Sequence, residues 1–414
     1  MLLSSCLGGV CLKRATVDVA VFGGGAAGCA AAATAAMRGK SVLQVYRSLG
    51  ATPLSSGMID LLGRAPWMEG FVLKPMRELA ALMEKASKHP YAIVGESSVR
   101  RGLKLALEAL EPLGYEGSLE ENTLLPNLIG TFKPTALYPS SFSLGSLSEL
   151  AEHRAAVVGF KSLSWLNPES LAKLLSYSAS RLGARASLDW RAVDFGSGGL
   201  AELAWQAEEK PLELASKLAE LGYDVVGIPP VLGVRAHRAV AEALAEEGVR
   251  FFEIASPPPS PPGLRLQIRL LEWARELGVQ QVRGELAELE AEGKVRRCVV
   301  RVGGELVEVE AESYVLACGR FIGGGAWIRG FSVISELKYA PRMLPSSRHA
   351  ALCYGVEVDE LLHPKARGVA VEEAYVAGSM LGGYSYSSEL SGLGVAFSTG
   401  WAAGQLASGG SIEG

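Results

Sequence analysis

The sequence predicts an α/β protein: a Rossmann-like domain of the two-dinucleotide-binding type, discontinuous along the chain, that carries an inserted α+β second domain. Three observations point there. Residues 17–47 read as a strand, a glycine turn, a helix of small residues and a second strand. A second glycine-rich turn and small-residue helix occupy residues 378–407. Between them, residues 64–262 change character to amphipathic helices separated by Pro-Tyr-Ser-Phe loops, and a chain of 414 residues exceeds what one compact core takes up.

The first element rests on spacing. Gly23, Gly25 and Gly28 fall on G-x-G-x-x-G, after the β-branched run Val17, Val19, Val21 and before an alanine helix that ends at Gly39. Each glycine has its own job: a tight turn, close approach of backbone to a phosphate, and close packing of helix on strand. The free N–H groups at the start of the helix, at Ala26 and Ala27, then hold the anion. An alanine core helix after an incidental turn would leave the glycines unexplained, because glycine weakens a helix. The second strand, 42–46, should end in an acid that binds ribose hydroxyls. Tyr46 stands there, followed by Arg47, with no Asp or Glu nearby in sequence. The phosphate end is intact and the adenosine end lacks its acid.

Residues 19–37 form an uncharged, mostly apolar run long enough to resemble a membrane span. It is alanine and glycine rather than leucine, its glycines cluster, and no anchoring belt flanks it, so no direct span is expected. A net charge of -4 leaves no basic footprint for nucleic acid. Six scattered cysteines, Cys6, Cys11, Cys29, Cys298, Cys318 and Cys353, include no C-x-x-C and lie near no paired histidines. That spacing argues against zinc, an iron–sulfur cluster or a disulfide scaffold, so no metal is expected and a reducing cytoplasm is. Leu3-Ser4-Ser5-Cys6 looks like a lipoprotein cleavage site but lacks a basic start and a long apolar segment, so residues 1–14 are expected to be a flexible or misassigned start.

Past the second strand, residues 51–63 are rich in small hydroxyl and glycine residues, and Ser55, Ser56 and Gly57 are candidates to wrap a cofactor, an ordinary loop being the alternative. Helical periodicity appears at 75–88, 98–113, 168–182 and 211–221, with short buried strands at 155–160 and 223–228 and a stiff proline segment at 257–262. His89, His153 and His237 are isolated and read as capped or surface histidines rather than bases. Residues 264–277 form an amphipathic helix ended by Gly278. Strand runs follow at 279–282, 295–302 and 306–309, then a buried strand at 313–319 whose last residues, Ala317, Cys318 and Gly319, are small enough for a ligand to lie against the backbone. Residues 320–325 read as a flexible cationic loop. The segment 326–368, with Arg329, Arg342, Arg348, His349, His363, Lys365 and Arg367, reads as a solvated basic face or a grip for an anion or partner.

The last block returns to the first domain: a strand at 374–377, a turn containing Gly378, Ser379, Gly382 and Gly383, and a helix opened by Gly392 and Gly394. A helix N-terminus aimed at a flavin ring stabilises the negative charge that builds near N1 on reduction. The first loop would hold phosphate and the last would tune the ring; tight helix packing is the competing use for these small residues.

The blocks SSGMIDLLG (55–63), HPY (89–91), GLRLQIRL (263–270), VLACGRFIGGG (315–325) and AGSMLGGY (377–384), in that order behind the glycine motif, resemble the B subunit of anaerobic glycerol-3-phosphate dehydrogenase. The resemblance implies a flavoprotein fold related to succinate dehydrogenase and fumarate reductase flavoprotein subunits. It implies a part in oxidising sn-glycerol 3-phosphate to dihydroxyacetone phosphate, with electrons passing to quinone. FMN is the implied cofactor, which suits the missing acid at Tyr46, and FAD is the alternative. The implied partners are a catalytic FAD subunit and an iron–sulfur membrane-anchoring subunit, giving a cytoplasmic chain that reaches the membrane through them. The resemblance extends to Gly23, Gly25, Gly28, Ser55 to Gly57, Gly319 and Gly378 to Gly383. It assigns no catalytic acid or base, and Arg320, Tyr384 and Tyr386 stand where the family block varies. Two readings stay open beside it: a stand-alone flavin dehydrogenase or oxidase of the fumarate reductase or aspartate oxidase type, and a non-catalytic assembly subunit with a degenerate nucleotide site. The expected division is 15–63, 263–325 and 369–414 for the flavin-binding domain, 64–262 for the second domain, and 326–368 packing with the second.

Overall fold

The computed structural model describes residues 2–7, 10–320, 327–329, 332–334, 343–344, 355–366 and 368–412. Its main sheet has eight strands, running in the order Gln280–Arg283, Val42–Tyr46, Val10–Phe22, Glu305–Leu316, Lys294–Val302 and Glu285–Glu292, with Leu2–Leu7 and Ala374–Val376 added beside this path. Four strands lie parallel around Val10–Phe22, and the register Leu316↔Phe22 and Leu316↔Val376 brings three carboxyl ends level. Ligands of open parallel sheets sit beyond such ends. Gly23, Ala317 and Ala377 therefore leave the sheet side by side. The 12-residue strand Glu305–Leu316 pairs antiparallel with Lys294–Val302 through its first half, parallel with Val10–Phe22 along most of its length, and parallel with Ala374–Val376 at its carboxyl end. The sequence predicts two shorter runs there. At the amino-terminal end, Leu2–Leu7 pairs antiparallel with Val10–Ala15, where a flexible leader is expected. The pairing satisfies backbone donors and acceptors that a loose tail would leave to water.

Helix Ala26–Met37 is buried through its first ten residues, because alanine on every face lets neighbours approach from all sides. The last helix, Gly392–Ala407, lies against it with Gly400 and Gly404 at the crossing; a Cβ on either would stand 2.5 and 2.4 Å from Ala27 O and Ala31 O. Gly102 in helix Pro90–Leu110 packs the other side of the last helix, its Cβ position 2.6 Å from Phe397 O. The small residues of the closing helix thus serve tight packing on both flanks. Residues from 65–110 contribute apolar side chains to this first core, among them Val72, Leu79, Val99 and Leu103.

A second core surrounds a parallel four-stranded sheet in the order Phe251–Glu253, Val225–Ile228, Ala155–Phe160 and Leu188–Val193. The strands Ala155–Phe160 and Val225–Ile228 are buried at every position, as continuous apolar strands covered on both faces are. Helices Pro168–Arg181, Leu200–Glu209, Pro211–Ala219 and His237–Glu246 alternate with these strands, and two antiparallel ribbons, Tyr115–Gly117 with Leu137–Pro139 and Thr123–Pro126 with Phe132–Thr135, precede them. Where an α+β second domain over 64–262 is expected, this core is α/β, its strands parallel and alternating with helices, and residues 65–110 pack in the first core instead. No helix among the described residues is long and apolar enough to cross a membrane.

Candidate functional site

The glycine turn is locked from behind. Gly23 has φ +137°, and a Cβ there would lie 2.1 Å from Ala317 O; a Cβ on Gly28 would lie 2.2 Å from Gly23 O. Both glycines are required by the approach of strand, turn and helix. Gly25 is different: its backbone is extended, and its Cβ position is 3.4 Å from Thr52 Oγ1.

Two buried glutamines hold the turn's carbonyls. Gln44 Nε2 donates to Gly23 O at 2.9 Å and Gln267 Nε2 to Gly24 O at 2.6 Å, both side chains fully buried. In a trans peptide the N–H points opposite its carbonyl, so these bonds turn the N–H groups of Gly24 and Gly25 the other way. Thr52 Oγ1 accepts the first helical N–H, that of Ala26, at 3.0 Å. The N–H groups of Gly24, Gly25, Ala27 and Gly28 have no protein acceptor among the described residues. Buried N–H groups are almost always paired, so a cluster without acceptors at a helix N-terminus is the signature of an anion seat. The residues present fit a flavin phosphate. Gln44, Gln267 and Thr52 are absent from the sequence-level candidates because each acts through the fold.

The other candidates gather around this turn in two groups. Tyr46 packs its ring on Gly24, whose Cβ position is 2.8 Å from Tyr46 Cγ, and Arg47 Nη1 lies 3.5 Å from Glu285 Oε2. A carboxylate thus does stand near the end of the second strand, contributed by Glu285, but it also pairs with Arg301. Ser55 Oγ donates to Thr52 O at 2.7 Å, Ser56 Oγ accepts from Lys133 Nζ at 3.3 Å, and Gly57 packs on Pro262 with its carbonyl taken by Tyr115. Cys318 Sγ lies 3.4 Å from Phe22 O, and burial pushes its thiol up to about 12.

At the other end, the Gly378 N–H donates to Thr399 Oγ1 at 2.8 Å, and its Cβ position is 2.6 Å from Ala27 Cβ. The opening and closing glycine loops are therefore neighbours. The Gly382 N–H donates to Val356 O at 3.1 Å, Gly383 packs on Lys88 O, and Gly319 follows Cys318 with φ +72°. Gly392 and Gly394 open the last helix, and the Gly394 N–H is taken by Asp60 O at 3.1 Å. Gly394 also packs on Tyr91, whose hydroxyl donates to Leu61 O at 2.8 Å.

This second end carries ionisable groups. His89 is buried, and its Nδ1 accepts the Tyr91 N–H at 3.1 Å to cap helix Pro90–Leu110. With Nδ1 an acceptor, Nε2 bears the proton and donates to Glu389 Oε2 at 3.1 Å. Glu389 also accepts from the Ser385 N–H and from Ser391 Oγ. Asp60 meets Lys133 Nζ at 2.6 Å, yet burial raises its carboxyl above the ordinary range against the pull of that ammonium. Burial likewise pushes the Tyr384 phenol up to about 12. Arg320 is buried rather than in a solvated loop: Nη2 donates to Leu381 O at 2.9 Å and the guanidinium lies 5.1 Å from the Tyr384 ring centre. His363 also departs from the expected basic face, being buried with Nδ1 3.0 Å from Asp359 Oδ2. Phe321 to Gly325, Arg342, Arg348, His349 and Arg367 lie outside the described residues.

Residues 18–395 match the FAD binding domain family. The chain is 31% identical to the probable B subunit of anaerobic glycerol-3-phosphate dehydrogenase from Halobacterium salinarum, over 94% of this chain and 97% of that one. It is 27% identical to the B subunit of anaerobic glycerol-3-phosphate dehydrogenase from Vibrio cholerae, over 92% and 94%. Among solved structures it is similar to the 3-ketosteroid-Δ4-(5α)-dehydrogenase of Rhodococcus jostii, with 14% identity, TM-score 0.39 and coverage of 95% and 97%. It is also similar to Mycobacterium smegmatis Sdh1 in complex with UQ1, with 14% identity, TM-score 0.40 and coverage of 96% and 69%. With one domain family spanning most of its length and a relative aligned almost end to end, the chain belongs to the family of anaerobic glycerol-3-phosphate dehydrogenase B subunits, flavin-binding members of a multi-subunit oxidoreductase.

Proposed function

We propose that this chain is the flavin-bearing, electron-relaying subunit of an anaerobic sn-glycerol 3-phosphate dehydrogenase complex that forms dihydroxyacetone phosphate and delivers electrons to quinone. The observation that carries the reading is the seat of acceptor-less N–H groups at Gly24, Gly25, Ala27 and Gly28, beside the closing glycine loop. These groups would hold the flavin phosphate, and the start of helix Gly392–Ala407 would face the ring. A bound flavin accepts an electron pair from a reduced donor and passes electrons on singly. Within that reading the protein orients the cofactor, and the buried His89–Glu389 pair holds the closing loop against helix Pro90–Leu110.

FMN is the favoured cofactor because the end of the second strand offers Tyr46 and an Arg47–Glu285 pair rather than an uncommitted acid. FAD is the second reading, favoured by the domain family the chain matches. The partners in this reading are a catalytic FAD subunit and an iron–sulfur subunit that anchors the cytoplasmic complex to the membrane. Cofactor binding is assigned to segments 15–63, 263–325 and 369–414, with the second core carrying contacts to substrate or partner.

Purified protein should show a flavin absorbance spectrum, and mass spectrometry of the released cofactor should give the mass of FMN. Gly25→Val should lose the flavin while circular dichroism stays unchanged, since a Cβ there meets nothing closer than Thr52 Oγ1 at 3.4 Å and the branched side chain would crowd the N–H groups of Gly24, Gly25 and Ala27. A colourless protein that takes up neither FMN nor FAD overturns the proposal.

A further inference from the structure

The loop 51–63 joins the two ends of the cradle. At its start Thr52 Oγ1 accepts the Ala26 N–H behind the glycine turn, and near its close Asp60 O accepts the Gly394 N–H in the first turn of helix Gly392–Ala407. Between them Ser56 Oγ accepts from Lys133 Nζ at 3.3 Å. Lys133 belongs to the ribbon strand Phe132–Thr135, whose first residue packs in the second core, so a lysine of the inserted unit reaches a loop of the first.

The main partner of this lysine is Asp60. Lys133 Nζ stands 2.6 Å from Asp60 Oδ2, with the two side chains 20% and 14% exposed, so water reaches the pair and a proton can enter or leave. The two oxygens of Asp60 are not alike. Oδ2 holds the ammonium, whereas Oδ1 is buried and has no hydrogen-bond partner among the described residues. A bare carboxylate oxygen away from water is a costly arrangement that a proton relieves. Burial, outweighing Lys133, already raises this carboxyl above its ordinary 3.8.

The other ionisable groups at this end are committed. Tyr91 on helix Pro90–Leu110 faces Asp60, but its hydroxyl donates to Leu61 O, and burial pushes the phenol well above its ordinary 10.0, so it keeps its proton. Beyond Tyr91 stand Tyr384 and Glu389. Burial pushes the Tyr384 phenol up to about 12, and Glu389 accepts on both oxygens, Oε1 from the Ser385 N–H and Oε2 from His89 Nε2 and Ser391 Oγ.

Building on the flavin reading of the cradle, we propose that Asp60 is its proton-uptake site: Oδ1 gains a proton when an electron pair enters, and the Lys133 ammonium is left to balance the negative charge. Paired with an ionised Asp60, Lys133 adds no net charge to the ring end. Once a proton from solvent forms the Oδ1–H bond, the pair carries one positive charge, which offsets the charge that reduction brings. The electrons come from the reduced donor of the proposed dehydrogenase complex, and Asp60 itself changes no oxidation state. Electron entry and proton entry then favour each other, as linked equilibria must.

The test is reduced-minus-oxidised infrared difference spectroscopy of the flavin-loaded chain, with the flavin midpoint potential followed from about pH 5.5 to about pH 8.5. Reduction of the wild type should bring up a protonated-carboxyl band that shifts with isotope-labelled aspartate and is absent in Asp60→Asn. The wild-type potential should fall with rising pH more steeply than that of Asp60→Asn, by up to one proton per electron pair. Lys133→Met should lose both signals, because a buried carboxylate without its ammonium takes its proton before reduction, and Lys133→Arg should restore them. A protein without flavin fails at the loading step and sinks the underlying reading. A flavin-loaded wild type with no aspartate carboxyl band, or Asp60→Asn with the full wild-type pH slope, overturns this proposal alone.

Discussion

The two ends of the proposed cradle, the glycine turn that would take the phosphate and the closing loop that would face the ring, solve one problem with different chemistry. At the phosphate end, neutral amides do the positioning: Gln44 and Gln267 hold carbonyls, and Gly23 and Gly28 let backbone meet backbone at distances that exclude a side chain. At the ring end, His89, Glu389, Asp60 and Lys133 do it with protons and charges. An anion seat made of fixed dipoles needs no charged residue and keeps its strength across pH, whereas a loop tied by titratable groups responds to protonation. Substitutions should therefore act through backbone packing and through added charge at the first end, and through lost hydrogen bonds to ionisable groups at the second.

The largest expected effect comes from volume. Gly28→Val puts a branched side chain where a Cβ already meets Gly23 O at 2.2 Å, and should cost about 3 kcal/mol or prevent folding altogether. Gly25→Ala, with its nearest neighbour at 3.4 Å, should stay within about 1 kcal/mol of wild type. Denaturant midpoints of the two variants measure the contrast. Equal midpoints would mean that close packing of helix on strand is not what the third glycine is for.

At the ring end, His89→Ala removes both the cap on the Tyr91 N–H and the bond to Glu389. The expected loss is roughly 2–3 kcal/mol, a cap plus a hydrogen bond to a charged group. Glu389→Gln keeps one acceptor oxygen and should cost less than His89→Ala in the same unfolding series. If the glutamine variant is the worse of the two, the charge itself carries the loop and the hydrogen bonds are secondary to it.

Back at the phosphate end, Gln267→Leu strips the buried Gly24 carbonyl of its donor, a loss of about 1–2 kcal/mol. Gln267→Glu is close in shape but places a carboxyl beside a carbonyl oxygen and near the anion seat. Flavin retention through gel filtration should fall further for glutamate than for leucine. The reverse order would show that filling the space matters there more than the absence of charge.

Much of this architecture is legible in the sequence, for reasons that differ by element. The glycine motif can be read because its demand is local: three positions at fixed spacing between a strand and a helix. The buried strands Ala155–Phe160 and Val225–Ile228 are legible as continuous apolar runs. Strand Glu285–Glu292 is not, since ELAELEAE is rich in helix formers; pairing with Lys294–Val302 overrides propensity, and Arg297 and Arg301 meet Glu288 and Glu285 across the ladder. The residues that hold the turn escape for another reason. Gln267 reaches Gly24 from a helix more than half the chain away, and its amphipathic pattern marks only a buried position, not its partner. The His89–Glu389 pair is the same case, since an isolated histidine becomes a loop tie only when the closing strand returns to the first sheet.

The smallest effect comes from a carboxylate outside both ends. Asp18 Oδ2 accepts the Ser41 N–H at 2.6 Å and Ser41 Oγ at 2.7 Å, fastening the start of Val42–Tyr46 to strand Val10–Phe22. The backbone bond from Ser41, followed by its hydroxyl, lowers this carboxyl from its ordinary 3.8. A lowered folded-state pKa means that the unfolded chain binds the proton more readily, so the stabilisation is present above the unfolded value and is lost as pH falls through the folded one. Asp18→Asn should thus be slightly less stable than wild type near neutrality, and the gap should close as unfolding is followed from about pH 6 to pH 3. Because Asp18 touches neither group of cradle residues, that shallow acid response is the background for the ring end. Flavin release that tracks protonation of Asp60, whose carboxyl burial raises, must be steeper than this, and must flatten in Asp60→Asn while surviving in Asp18→Asn.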